Sequence, residues 1–141
     1  MPVFATDLPR LSALIKNLDT LLSPELFQDV VQVNTSAATK IVLGQVMGSV
    51  AATGKWVVAV LADVDTYDIL GLYVGTGDAL GSPVPTTTVA DVDSPVLVLT
   101  RGKAVVSADA IVYDPSFATA VEKAAVNKTL KAQGVLVSTT V

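Results

Sequence analysis

From Phe27 to Tyr113 the chain is a succession of short Val-rich runs cut by turn residues, and this most narrows what it can fold into. Lys40–Leu43 and Lys55–Leu61 flank a glycine-containing stretch from Gly48 to Gly54, the pattern of a hairpin. Residues 69–74 form a third run, and residues 75–88, with Gly77, Gly81, Pro83 and Pro85, read as a long loop. Val96–Thr100 and Ala104–Val106 face each other across Arg101-Gly102-Lys103, a second expected hairpin, and Ile111–Tyr113 follows. Many short strands at this spacing predict a small barrel or sandwich.

Both ends read differently. Leu8, Leu11, Leu14, Ile15, Leu18, Leu21 and Leu22 recur at helical spacing, predicting an amphipathic helix over residues 7–22. It either folds back on its own domain or serves as an arm whose apolar stripe docks on a partner. Near the other end, Asp114-Pro115-Ser116 reads as a helix start. Phe117, Ala120, Val121, Ala124, Ala125 and Leu130 form its expected apolar face, Gly134 its stop, and Val135–Val137 a closing strand. The expected organisation is a leader over residues 1–33 and a β-rich domain over residues 34–141.

Composition removes most chemistry. With 141 residues there is one domain of ordinary size. There is no Cys and no His, which excludes disulfides, thiolate metal sites, histidine bases and Ser-His-Asp triads. A net charge of -4 argues against binding the nucleic-acid backbone. Mean hydropathy is high at +0.60, yet the uncharged stretch from Ile41 to Gly54 is interrupted by polar and glycine residues. It also falls short of the roughly 20 apolar residues of a spanning helix. Asp7 and Arg10 stand where a secretion signal would have its apolar run. Hydrophobic residues reach 51% against 16% charged, where soluble domains carry about 25% charged. So bare an exterior is expected to be covered, by copies of itself or by a larger assembly.

The motifs that could carry chemistry do not cohere. Gly75-Thr76-Gly77-Asp78-Ala79-Leu80-Gly81 imitates a dinucleotide loop, but its last glycine is displaced and Pro83 and Pro85 prevent the helix that would hold a phosphate. Asp63, Asp65 and Asp68 could attract calcium, yet they lack an EF-hand's glycine and distant glutamate, and acidic residues closing strands account for them equally. Trp56 sits in an apolar run and is expected in the core. No catalytic residue, cofactor site or metal site is assigned, and no enzymatic activity is expected.

Several segments in order resemble one family. Leu43-Gly44-Gln45-Val46 followed by Gly54-Lys55-Trp56-Val57 looks like the first hairpin of the bacteriophage head decoration proteins, the lambda decoration-protein family. Ala90-Asp91-Val92-Asp93-Ser94-Pro95, running on through Val96-Leu97-Val98-Leu99-Thr100-Arg101-Gly102, is similar to that family's next segment. Ala104–Val112 resembles the small-residue strand after it, and Leu130-Lys131-Ala132-Gln133-Gly134-Val135-Leu136-Val137 its ending. Arg10-Leu11-Ser12 through Val30–Val33 is similar to the leader of longer members. The chain departs from the pattern at Pro85–Val89, in a longer region from Asp65 to Gly81, and at Tyr113-Asp114-Pro115.

The resemblance implies a mainly β fold with some α (α+β): a small β-rich, tulip-like barrel with one C-terminal helix and an N-terminal arm or helix. It implies a homotrimer that cements the expanded phage head, seated on the major capsid protein at threefold positions. Such a protein would be made in the host cytoplasm and reside on the outer surface of the virion, binding neither nucleic acid nor membrane. Leu11, Leu14, Ile15, Leu18, Val30, Val31 and Val33 are then the expected capsid contacts. The alternatives are a small-ligand- or metal-binding barrel using Asp63, Asp65 and Asp68, and a phage tail or baseplate module.

Overall fold

The computed structural model describes residues 14–15, 28–75, 86–101 and 104–138. Five strands close into a barrel: β1 (Gln28–Val33), β3 (Val46–Val50), β4 (Trp56–Val58), β5 (Tyr67–Gly75) and β7 (Ser94–Leu99), in the order β1-β4-β3-β5-β7. The neighbours are antiparallel except where β1 meets β4, which run parallel and pair only at Val33 and Trp56. β2 (Lys40–Ile41) and β6 (Thr86–Thr87) form a small ladder of their own. β8 (Val105–Ser107) and β9 (Leu136–Ser138) pair in parallel, connected through helix α1 (Ala120–Ala132) as parallel strands require. The fold is thus mainly β with one helix near the C-terminal end, the class that the run pattern and the resemblance both imply.

Period-two alternation sorts the strand residues into two cores. Val33, Met47, Trp56, Tyr73, Val96 and Val98 point into the barrel, with Ile41 of β2 added, and fill it with side chains. Burial pushes the Tyr73 hydroxyl up to about 12, so the barrel keeps it neutral at any ordinary pH. The intervening residues Val46, Leu70, Leu72, Val74 and Leu99 point outward. They are covered by Phe117, Val126 and Leu130 from α1 and its approach, by Val106 and Val135 of the β8–β9 region, and by Leu14 and Ile15. Ile15 bridges Val106 in antiparallel register.

Three local devices hold this cover in place. Thr119 caps α1: its hydroxyl accepts from the Glu122 N–H while the Glu122 carboxylate accepts from the Thr119 N–H, a reciprocal capping box. Gln133, at the other end of α1, lays its amide along β5, accepting from the Leu70 N–H at 3.1 Å and donating to the Leu70 carbonyl at 2.6 Å and the Thr100 carbonyl at 3.2 Å. The side chain replaces a strand where the β5–β7 ladder stops. Gly44, at φ +84°, leaves no room for a side chain, since a Cβ there would lie 2.2 Å from the Ala110 carbonyl oxygen.

The structure corrects several expectations. The first hairpin is β3–β4, with Gly48 inside β3 and the turn at residues 51–54, whereas Lys40–Ile41 pairs with Thr86–Thr87. Gly48 lies within the strand, paired with Val57 and Leu70, and the Tyr67 ring packs where a side chain would stand. No hairpin joins β7 to β8: β7 lies between β1 and β5, and β8 pairs with β9. The helix starts at Ala120, because Asp114 makes a tight turn instead, accepting the Phe117 N–H on its carbonyl and the Ser116 N–H on its carboxylate. Its buried residues are Val126 and Leu130, while Val121 is 80% exposed. Finally, β1 is a stave of the barrel, so the expected boundary at residue 33 cuts through the body.

Candidate functional site

The outer cover is one-sided. Over β3, β5 and β7 the outward side chains of Val46, Leu70, Leu72, Val74 and Leu99 are buried, but β1 and β4 carry no such layer among the described residues. Val30, outward-facing on β1, is 72% exposed; Gln32 beside it is exposed and Val57 of β4 is half-buried. β1 thus packs Val31 and Val33 against the barrel interior and presents Val30 and Gln32 to solvent.

At the end of the barrel where β1 leaves, a turn projects beside this bare face. Val89 is 60% exposed and Val92 48% exposed, with Asp91 between them at φ +59°, a conformation that Asp tolerates better than most residues. The turn is braced from several sides. The Asp91 N–H donates to the Thr35 carbonyl at 2.8 Å, and the Val92 N–H to the Val89 carbonyl at 3.2 Å. The hydroxyls of Thr35 and Thr88 share a buried hydrogen bond at 2.6 Å, and Thr88 also accepts the Thr39 N–H. Asp93 accepts from the Asn34 amide at 2.7 Å and pairs with Lys55 at 2.6 Å. The Asn34 hydrogen bond first, and then Lys55, hold the Asp93 carboxyl below the usual carboxylate range. The exposed valines therefore sit on a fixed support.

Between turn and barrel lies an open groove of about 530 Å³, lined by Asn34, Ser36, Val50, Thr53, Lys55, Val57 and Asp91. Its hydroxyls and amide offer hydrogen bonds, its valines apolar contact, and its one cation is already engaged by Asp93. No nucleophile–base pair is assembled there. The surface can recognise a partner by shape and hydrogen bonding.

The residues singled out from sequence divide sharply. Leu14, Ile15 and Val33 are at most 1% exposed within the chain's own two cores, so as capsid contacts they are corrected: the body already uses them. Val31 is half-buried against the barrel interior, and Val30 alone of the described set stands open. Leu11 and Leu18, with most of the helix expected over 7–22, lie outside the described residues, as does the loop over 76–85. Asp63, Asp65 and Asp68 are exposed, and no group of three acids that could hold a metal occurs among the described residues. Trp56 is buried in the barrel. Val89 and Val92 were legible only as part of an acidic turn; the signal available was a valine between two aspartates, where a turn would ordinarily carry polar residues.

Among the described residues no helix is long and apolar enough to cross a membrane. Comparison with protein-family models, with curated proteins and with solved structures found no match.

Proposed function

We propose that this chain is a capsid decoration protein: a trimeric cement that seats on the expanded head of a bacteriophage, contacts the major capsid protein, and catalyses no reaction. The observation that carries the docking part is the half-clothed barrel, whose β1–β4 side leaves Val30 open. The colinear resemblance supplies the lattice. A barrel filled by Val33, Met47, Trp56, Tyr73, Val96 and Val98 suits a rigid clamp better than a container for a small ligand. Repetition on a lattice lets a modest contact per copy suffice.

The test is cosedimentation of the full chain with expanded and unexpanded shells of the virus that encodes it, beside Val30→Asp. Saturable binding to expanded shells, lost or weakened at least tenfold by the substitution while the melting temperature holds, is the expected result. Binding that is absent, or indifferent to a charge at Val30, overturns the assignment.

A further inference from the structure

A second groove lies between α1 and β9, on the clothed side of the barrel, and its chemistry is the complement of the braced turn. Ala124, Asn127, Lys128 and Lys131 of α1 form one wall and Leu136 and Val137 of β9 the other, enclosing about 410 Å³. Leu136 is 44% exposed. Lys128 and Lys131 are exposed and make no ion pair among the described residues. Helix α1 carries three lysines against one glutamate in a chain of net charge -4, so this is a basic spot on an acidic molecule. Lys123 is drawn aside over the Tyr113 ring, 5.6 Å from its centre, which leaves Lys128 and Lys131 as the rim.

The braced turn carries the opposite features: two exposed valines flanking an exposed aspartate, fixed in place before any partner arrives. Apolar tip meets apolar floor, and the Asp91 carboxylate meets the Lys128 and Lys131 ammonium groups. Rigid anchors cost little ordering entropy on binding.

We infer that the Val89–Asp93 turn of one copy seats in the α1–β9 groove of the next, a head-to-tail contact between copies of this chain. The two patches are different surfaces, so the contact is heterologous, and it forms a ring where the rotation between successive copies closes. The inference deepens the trimeric part of the proposed function and rests on that reading for the number three alone. The β1–β4 face stays free for the shell.

The contact is tested without capsids, by light scattering and sedimentation of the full chain and of two variants. Val92→Asp spoils the turn; Lys128→Glu combined with Lys131→Glu spoils the groove. All three positions are exposed, and circular dichroism melts verify that both variants fold. The wild-type chain is expected at three times the monomer mass and each variant alone at one. Mixed together, the variants should form a one-to-one pair, since each keeps the surface that the other lacks. A wild-type chain that stays single, variants that keep the wild-type mass, or folded variants that remain single when mixed would each overturn the contact. Loss of shell binding with the ring intact would instead count against the decoration reading alone.

Discussion

The two halves of the barrel differ in what lies behind their strands. On β5 and β7 the outward positions Leu70, Leu72, Val74 and Leu99 are buried under α1, the β8–β9 pair and the Leu14–Ile15 segment. On β1 the outward position Val30 meets solvent. The outward face of β5 is apolar at Leu70, Leu72 and Val74, whereas on β1 the polar Gln32 follows Val30, the alternation of a strand with one face in solvent. Both halves share the barrel interior, the clothed half adds a second buried layer outside it, and the bare half leaves Val30 exposed.

The sharpest way to break this comparison is to cut side chains on each side. Leu72→Ala or Leu130→Ala, each at a fully buried position, should cost about 2–5 kcal/mol in urea denaturation. Val30→Ala should stay within about 0.5 kcal/mol. Comparable losses on the two sides would mean that β1 is covered after all.

Gln133→Ala comes next. It strips the partner from both the N–H and the carbonyl of Leu70 at the seam between α1 and the barrel. The expected loss is about 1–3 kcal/mol by the same measurement. An unchanged midpoint would show that water serves the seam equally well.

Thr119→Ala removes the cap of α1 and should cost about 1 kcal/mol, with amide exchange quickening in the first turn of the helix. Exchange that stays slow there would mean that packing, not the cap, sets where the helix begins.

The smallest effect belongs to the turn. Because Asp93 is held below its ordinary range, its clamp on Asn34 and Lys55 is complete above the unfolded-state value of about 3.9 and fades only as pH falls through the lower native one. A carbon NMR titration of the Asp93 carboxyl should show a midpoint under that unfolded value; a midpoint at or above it would mean the clamp is not formed in solution.

Strands β4, β5, β7, β8 and β9 were readable from the Val-rich runs, whereas β1 fell in the expected leader and β3 in no run, so two of the five staves were missed. Pairing was not readable. The hairpin expected across Arg101–Lys103 fails because β7 is claimed on both edges by β1 and β5, long-range partners that loop composition cannot announce. The helix start was misplaced for a similar reason: Asp114-Pro115 satisfies the rules for a cap and for a turn alike, and the capping box at Thr119 and Glu122 was overlooked. Of the candidate contacts, Val30 stands apart from Val33 only by its phase on the strand, and for Leu14 and Ile15 the apolar stripe left open whether it packs on the body or docks; the structure buries both in the body.

The measurement that bears most directly on the bare half is amide hydrogen exchange of the assembled chain, free and bound to expanded shells. Added protection is expected along residues 28–34 and 55–58, with the amides of Val126–Ala132 unchanged by the shell. Protection confined to α1 and β9, or none on β1, would contradict the assignment of the unclothed side of the barrel as the docking face.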